Sequence, residues 1–452
     1  MQEHIRDVAV VGTGMAGLVT AYLLHHDPQQ RFRVRLIDKN SRPSLAAESI
    51  ALPVASKHAT WADVPMRAFA GGFYHNLVRM YDYLDIDYHQ QPFLFNFVRL
   101  LPPLKGRPGH TPTSPAPLEP YMIHASNFHQ WPPLLRGDMF QWSMEVAMVL
   151  ICYLWFTLCC FLVAPAQSSN GEGESLNAYL QRIRLPQAYI TRYLLPMISS
   201  VSTCTHAEML RFPASDVLAY KRQTHRQPHF VVTDGVHTVQ EKLLRGIDVR
   251  LGVESTRVVS AAHDDGSLLT TCVDGSESTE RFDLIVLAVA PDAAARIFEP
   301  LRTQMQHVPM TMVQTVAHTD STNLVRAGTS KHHAASGDAV TTQQIYLCTN
   351  EDTTEAVHVQ PNSLLVTTNP LTPIDPSKII RSARFPRVLR NPTSQLLINK
   401  ISEGRADKGW NNGDDGVYLA GGWCWDGMVL LEGCVVSAMR IARDLGVDVP
   451  WK

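Results

Sequence analysis

The stretch Val-Ala-Val-Val-Gly-Thr-Gly-Met-Ala-Gly occupies residues 8–17. Its four leading apolar residues predict a buried strand of a parallel sheet. Gly12 permits a tight turn, Gly14 lets the backbone approach a phosphate, and Gly17 lets the next helix pack closely on the sheet. An apolar helical pattern continues from Leu18, so a bound pyrophosphate would lie at a helix N-terminus. The stretch therefore predicts a dinucleotide-binding strand, turn and helix.

A second apolar strand is predicted over residues 33–37, and it ends at Asp38. An acidic side chain at this distance from the glycines, roughly 20 residues, is suited to accept hydrogen bonds from a ribose. Glycines alone are equally typical of an ordinary strand–helix turn. The order of strand, helix, strand and acid favours dinucleotide binding over that alternative.

The other end of the chain carries a comparable stretch, Gly-Val-Tyr-Leu-Ala-Gly-Gly-Trp, at residues 416–423. It indicates an apolar strand that runs into a glycine turn, where backbone could again approach a cofactor. Two such sites at opposite ends predict a flavoprotein whose FAD-binding domain is assembled from both termini.

Composition excludes several classes of function. The 452 residues carry a formal net charge of −2, so no basic footprint for nucleic acid is visible. The 19 histidines include no HExxH spacing, and no metal site is predicted. The eight cysteines form no CxxC pair and are interpreted as reduced thiols of an intracellular protein. The first strand begins so early that no cleaved targeting peptide is expected.

Residues 146–164 form an uncharged stretch long enough to cross a bilayer. A single crossing would separate Gly12 from Gly421, although both must reach one cofactor, and no second comparable segment returns the chain. Two alternatives remain: a buried core helix, or a helix attached to one membrane face without crossing it. The protein is therefore expected to be cytoplasmic, with possible contact to a membrane face.

The predicted fold class is α/β, with a Rossmann-like FAD-binding domain of GR2 type and an inserted α+β substrate domain. The FAD-binding domain is predicted over residues 1–60, 231–300 and 405–447. The substrate domain takes residues 61–230 and 301–404, including the apolar helix. Alternating polar and apolar residues over 305–400 indicate an antiparallel sheet, and the proline-rich stretch 102–137 is predicted as a surface excursion.

With these stretches placed, the chain resembles the flavin-dependent amine-oxidase and phytoene-desaturase superfamily. More narrowly it is similar to predicted NAD/FAD-binding proteins of amine-oxidase type, including members of fungal natural-product clusters. The likeness covers most of the chain: the glycine turn, Asp38 and Arg42 spaced as in the family's E-x-x-x-R, residues 193–197 and 282–290, and the run 419–433. The family's double glycine is Ser44-Leu45 here, and its acidic residue after the C-terminal Ala-Gly is Gly422.

The resemblance implies a set of cofactor-binding residues. The glycine turn should wrap the pyrophosphate. Asp38 should bind the ribose, Arg42 should neutralise the charge of a phosphate, and backbone groups around Ser255 should contact the adenine. The last helix should direct its N-terminal amides at the pyrimidine end of the flavin. For Leu431, helix packing is an alternative role, and for Glu432 charge complementarity at the helix N-terminus. The full set is Gly12, Gly14, Met15, Ala16, Gly17, Asp38, Arg42, Ser255, Gly421, Trp423, Leu431 and Glu432.

The resemblance also implies an FAD-dependent oxidoreductase, an oxidase or desaturase, acting on a small apolar substrate in secondary metabolism. The chain lacks a second GxGxxG for NAD(P)H, which favours reduction of the flavin by substrate and reoxidation by oxygen or another acceptor. A flavin-dependent double-bond isomerase is one alternative, and a non-catalytic membrane-associated flavoprotein is another. No catalytic residue is predicted, since hydride transfer to a flavin depends mainly on positioning.

Overall fold

The computed structural model of the protein describes residues 5–51, 61–100, 118–125, 139–260, 266–326, 342–360, 363–404 and 409–451. Its strands are, in chain order, β1 (Arg6–Val11), β2 (Phe32–Asp38), β3 (Ile50–Ala51), β4 (Trp61–Ala62), β5 (Ala68–Ala70), β6 (Tyr88–Gln90), β7 (Phe93–Leu100), β8 (Leu118–Ala125), β9 (His229–Val232), β10 (Asp248–Leu251), β11 (Glu254–Val259), β12 (Ser267–Val273), β13 (Ser276–Phe282), β14 (Leu284–Leu287), β15 (Met310–His318), β16 (Gln343–Thr349), β17 (Thr354–Val359), β18 (Leu365–Thr368), β19 (Ile379–Val388) and β20 (Val417–Leu419).

The α-helices are α1 (Met15–His25), α2 (His75–Tyr83), α3 (Met139–Leu162), α4 (Leu176–Arg182), α5 (Gln187–Tyr189), α6 (Leu195–Ser202), α7 (His206–Leu210), α8 (Ala214–Gln223), α9 (Val236–Leu244), α10 (Pro291–Ile297), α11 (Arg302–Met305), α12 (Thr322–Arg326), α13 (Pro392–Ser402) and α14 (Leu431–Asp444). A π-helical segment, Ile190–Leu194, joins α5 to α6.

A five-stranded parallel sheet brings the two ends of the chain together. Its order is β10-β2-β1-β14-β20, with Val8 opposite Leu284 and Ile285 opposite Val417. Only β14 therefore separates the N-terminal strand from the C-terminal one. The predicted α/β fold class, with a Rossmann-like domain assembled from both termini, is confirmed.

Burial explains why the first helix is apolar on every side. Residues 15–24 of α1 are all buried, because α1 lies between the sheet and the helices α9 and α14. Val8 and Val10 of β1 share a hydrophobic core with Leu18 of α1 and Val435 of α14. A helix buried on all faces shows no amphipathic periodicity. Sheet and helices form one rigid support for the turns at the carboxyl edge of the strands.

A seven-stranded sheet forms the second layer, in the order β19-β15-β18-β17-β16-β7-β8. Its neighbours pair antiparallel except β7 and β16, which are parallel. The strands of the first sheet fall within the segments assigned to the FAD-binding domain, and those of the second within the substrate domain. The boundaries themselves stay a prediction, and β9 pairs across one of them with β5 and β6.

One part of the proline-rich stretch differs from the prediction. Residues 118–125 form the edge strand β8, paired with β7, and do not loop away from the sheet. A register shift between Phe97 and Val98 brings Pro120 opposite Val98, and an edge position tolerates a proline that cannot donate to a ladder. The rest of the stretch, apart from Leu118–Ala125, lies outside the described residues.

The predicted apolar helix is α3, which begins earlier than expected and has one exposed side. Cys152, Phe156, Cys159 and Cys160 are buried, whereas only 22% of its most apolar window is buried. Among the residues that the structure describes, α3 is therefore not buried on all sides as a core helix would be. A single crossing is excluded as well, because the chain before and after α3 contributes to the same parallel sheet.

Candidate functional site

The turn between β1 and α1 closes tightly at two glycines and leaves space at the third. A Cβ on Gly12 (φ +107°) would lie 2.4 Å from the Ala288 carbonyl oxygen, and one on Gly17 1.9 Å from that of Gly12. A Cβ on Gly14 would meet nothing within 4 Å. The amides of Gly14 and Met15 have no acceptor among the described residues. These free N–H groups at the start of an 11-residue helix suit a phosphate.

The next amide of this turn, that of Ala16, lies against the thiol of Cys434. Sγ of Cys434, in α14, lies against the backbone of both Ala16 and Gly422. Burial raises the pKa of Cys434 to about 11, so the thiol is neutral at physiological pH. The first turn of α1 and the start of α14 therefore meet directly, which joins the N-terminal and C-terminal parts of the predicted site.

Asp38 ends β2 as predicted, but protein donors surround its carboxylate. Oδ2 accepts from the Thr13 amide at 2.8 Å, from the Thr13 hydroxyl, and from the Ser44 hydroxyl at 2.8 Å. Oδ1 accepts from the amide and the side chain of Asn40, each at 2.9 Å. The side chain thus ties the glycine turn to the loop after β2. A ribose hydroxyl would have to share these oxygens with Ser44 or Asn40.

Arg42 and Ser255 lie in the neighbourhood of this carboxylate but differ in burial. Arg42 is exposed, and no ion pair or hydrogen bond joins it to the described residues. Two amides just before β11 donate to the end of β2, with Val253 bonding to the Asp38 carbonyl at 3.0 Å. The Ser255 hydroxyl is buried without a partner among the described residues. A buried, unpaired hydroxyl here fits a missing polar ligand.

Gly421 and Trp423, which the family resemblance places along the ribityl chain of the flavin, follow β20. The Gly421 amide donates to the Ser437 hydroxyl at 3.0 Å, which fixes the turn on α14. The Trp423 indole is buried in a hydrophobic cluster with Val11 and Leu287. The indole also lies against the glycine turn, because a Cβ on Gly421 would meet the indole nitrogen at 2.6 Å.

Leu431 and Glu432 begin α14. Leu431 is half-buried at the first helical position, whereas Glu432 is only 2% exposed. The Glu432 carboxylate accepts from the Asn76 amide at 2.9 Å, from its side chain at 2.6 Å, and from the Leu77 amide at 3.0 Å. Burial raises the pKa of Glu432, and these hydrogen bonds oppose the shift. Glu432 thus satisfies the free N–H groups that begin α2.

Sequence reasoning missed an aromatic cluster beside the first turn of α14. The Phe73 ring lies 5.0 Å from that of Tyr74, 4.8 Å from Tyr220 and 5.8 Å from Trp425, measured between centroids. Trp425 packs over Gly433, where a Cβ would lie 2.3 Å from the indole nitrogen. Residues so far apart in sequence, from α2, α8 and the last loop, carried no common pattern.

Sequence reasoning also missed two arginines, Arg67 and Arg387, that act on the Cys434 thiol. The guanidinium of Arg387 donates to the Ser202 carbonyl at 3.2 Å and to the Val429 carbonyl at 2.8 Å. Arg67 donates to the Leu45 carbonyl at 3.1 Å. Both charges act on Cys434, and neither forms an ion pair with a carboxylate among the described residues. Burial lowers the pKa of Arg387. Two positive charges thus lie near the start of α14, and one of them, Arg67, also acts on the buried Asp63 carboxylate.

A third arginine, Arg390, holds the loop after the glycine turn. It donates to the carbonyls of Gly427 at 2.6 Å and Trp423 at 2.8 Å, and to that of Trp425. It also lies 3.3 Å from the Asp216 carboxylate in an ion pair that is almost fully buried. The loop that carries Trp425 is therefore fixed to the N-terminus of α13 and to α8.

Two family models match the chain. Residues 10–84 match an NAD(P)-binding Rossmann-like domain, and residues 105–384 match the flavin-containing amine oxidoreductases. A comparison with curated proteins found no significant match.

Solved structures share the fold over nearly the whole chain. Cyclohexylamine oxidase from Brevibacterium oxydans IH-35A is 13% identical with a TM-score of 0.55, covering 98% of this chain and 99% of its own. A fatty acid isomerase from P. acnes that produces CLA is 11% identical with a TM-score of 0.59, covering 97% and 98%. At these identities the likeness concerns the fold alone. The family model spans more than half of the sequence, and the protein is a member of the flavin-containing amine oxidoreductase family.

Proposed function

We propose that the protein is an FAD-dependent oxidoreductase, an oxidase or desaturase, that acts on a small apolar substrate. The observation that carries this proposal is the position of β1 and β20 on either side of β14. Because parallel strands end at the same edge, the turns at Gly14 and Gly421 meet there, at the helix N-termini of α1 and α14. This is the arrangement that a dinucleotide reaching from one turn to the other requires.

The residues present fit FAD. Gly14 and Met15 would hold the pyrophosphate with their free amides, and exposed Arg42 would neutralise its charge. The unpartnered Ser255 hydroxyl would receive a polar group of the adenosine half. The start of α14 would lie toward the flavin, where its dipole and the charges of Arg67 and Arg387 stabilise negative charge. Bound FAD would supply a hydride acceptor for the substrate.

The surroundings of α14 support an apolar substrate without an ammonium group. Phe73, Tyr74, Tyr220 and Trp425 supply an apolar wall that excludes water and orients such a molecule. The guanidinium groups of Arg67 and Arg387, neither of which forms an ion pair among the described residues, would repel a protonated amine and would tolerate a neutral or anionic molecule. Membership of the family is therefore compatible with a substrate other than an amine.

The absence of a second GxGxxG from the sequence supports reoxidation by oxygen or another acceptor in place of reduction by NAD(P)H. We assign the activity to secondary metabolism on the sequence resemblance to natural-product cluster proteins. The same absence favours one second candidate, a double-bond isomerase. Such an enzyme restores the flavin within each turnover and needs no external acceptor.

The test begins with a metabolite comparison between intact and deletion strains. The compound that accumulates on deletion is then mixed with the purified flavoprotein without oxygen. Bleaching of the flavin, with oxygen restoring the colour, supports the oxidase or desaturase. Product formed with neither bleaching nor oxygen consumption identifies the isomerase. A protein that neither binds FAD nor converts the compound would refute the proposal.

A further inference from the structure

Helix α3 presents a continuous apolar stripe to solvent. Six of its exposed apolar side chains recur every three or four residues, or at twice that spacing, and so lie on one face of the helix; they are Phe140, Met144, Ile151, Leu154, Leu158 and Leu162, and Met139, Leu150, Trp155 and Phe161 are exposed as well. The six side chains of this stripe range from 49% exposed at Leu158 to 72% at Leu162. An apolar stripe more than 20 residues long marks an interaction surface, because soluble surfaces rarely expose contiguous apolar area of this size.

The opposite face of α3 is fixed to the protein along its length. Phe156 and Cys160 are buried in the main core. The Tyr179 hydroxyl donates to the Cys159 carbonyl at 2.9 Å, and the Trp155 indole donates to the Ile183 carbonyl at 2.9 Å. One face of α3 therefore packs against the rest of the protein, and the opposite face is exposed. This orientation suits a helix that lies in the plane of a surface.

Positive charge borders the C-terminal half of the stripe. Arg182 donates to the Ala164 carbonyl at 2.9 Å, and Arg222 to the Cys160 carbonyl at 3.2 Å. Arg184 is exposed beside Trp155, where the two line a shallow cavity. Arg182 is paired with Glu174, whereas Arg184 and Arg222 have no acidic partner among the described residues. The acidic residue within α3, Glu145, is paired with Arg192.

We propose that α3 attaches the protein to one face of an anionic membrane. The stripe enters the boundary between headgroups and acyl chains, and Arg184 and Arg222 contact anionic lipid headgroups. The uncharged stripe fits the acyl region, and the unpaired arginines beside it carry the charge opposite to that of the anionic lipid surface. The attachment does not depend on the proposed redox activity.

The test measures co-flotation of the full-length protein with vesicles of phosphatidylcholine alone or with added phosphatidylserine. The wild type should float with both and more strongly with phosphatidylserine. Leu154→Glu, at a position 57% exposed, should reduce vesicle binding by about tenfold or more without lowering the thermal midpoint. Met312→Glu places the same charge on an exposed residue of β15, and this control should bind like the wild type.

A second variant tests the charges separately. Arg184→Gln combined with Arg222→Gln should remove the preference for phosphatidylserine while binding to phosphatidylcholine persists. The proposal is overturned if the wild type does not float. A lipid-free dimer that Leu154→Glu dissociates would then show that a second copy covers the stripe. A monomer that Leu154→Glu destabilises would show that another segment of the chain covers it.

Discussion

The Glu432 carboxylate accepts a hydrogen bond from the Leu77 amide at 3.0 Å, across 355 positions of sequence. It thereby caps α2 from the first turn of α14. The contact joins the C-terminal helix of the cofactor domain to the helix that carries Phe73 and Tyr74 at its N-terminal side. Glu432, which the family resemblance associates with the flavin, thus also positions the helix next to the aromatic cluster of Phe73, Tyr74, Tyr220 and Trp425.

Glu432→Gln should lower the free energy of unfolding by roughly 1–3 kcal/mol. The amide supplies one oxygen and one donor group, so a buried N–H of Asn76 or Leu77 loses its acceptor. Denaturant unfolding of the purified protein measures the change. Glu254→Gln, on an exposed position of β11, is the matched control and should be neutral. An unchanged midpoint for Glu432→Gln would contradict the capping role.

Asp38→Ala should weaken FAD binding by about 1.5–3 kcal/mol, since hydrogen bonds to a charged group are lost. The affinity for FAD should fall even if the ribose shares the carboxylate with protein donors. The substitution removes the group that accepts hydrogen bonds from Thr13, Asn40 and Ser44 and that orders the glycine turn. Titration of the apoprotein with FAD, followed by fluorescence, gives the affinity.

Asp283, which lies just before β14, is a poor control for this substitution. The Asp283 carboxylate accepts from the Asp7 amide at 2.6 Å, so its removal affects the sheet. Asp292, whose ion pair with Arg296 is exposed, is the better control. Equal FAD affinities for wild type and Asp38→Ala would refute the role of Asp38.

Arg390→Leu should destabilise the fold by about 3–5 kcal/mol, because Asp216 becomes an uncompensated buried charge. Carbonyls of the loop at residues 423–427 also lose their donor. The double variant Asp216→Leu with Arg390→Leu should be destabilised by less than the sum of the two single changes. A denaturant double-mutant cycle measures this coupling, and strict additivity would show that the ion pair contributes nothing.

His358, near the end of β17, should make the protein sensitive to mild acid. Burial lowers its pKa to about 4, against an ordinary value of 6.5. The unfolded chain therefore binds the proton more readily, and the stability contributed by neutral His358 is lost as the pH falls from about 6.5 toward 4. His358→Leu should flatten this part of the stability profile, with exposed His307→Gln as control. Identical acid slopes for wild type and His358→Leu would disprove it.

FAD should be tightly but non-covalently bound. Burial raises the pKa of both Cys424 and Cys434, and a neutral thiol is a poor nucleophile toward the flavin ring. The purified protein should be yellow and should release FAD into the supernatant on heating. Flavin that stays with the denatured polypeptide would contradict this, and Cys434→Ala would then show whether that thiol forms the bond.

Local sequence determined the features that depend on neighbouring residues. The glycine turn, the strand ending at Asp38 and the apolar helix follow from backbone freedom, burial and periodicity within short windows. The two glycine-containing stretches, one at each end of the chain, also predicted that strands distant in sequence belong to one cofactor domain. Even the free amides of Gly14 and Met15 are a local consequence, because every helix begins with unpaired N–H groups.

Only the tertiary structure decided which distant side chains meet. Glu432 caps α2 by accepting a hydrogen bond from the Leu77 amide, and Arg390, which holds the loop at residues 423–427, forms an ion pair with Asp216. The two residues of each pair are too far apart in sequence for a local pattern to predict their contact. The exposure of α3 was likewise undetermined, since an uncharged helix has the same pattern in a core and at a lipid surface. Among the described residues Phe156 is buried in the main core and Leu154 is 57% exposed, and this difference between two faces of one apolar helix depends on which elements pack against it.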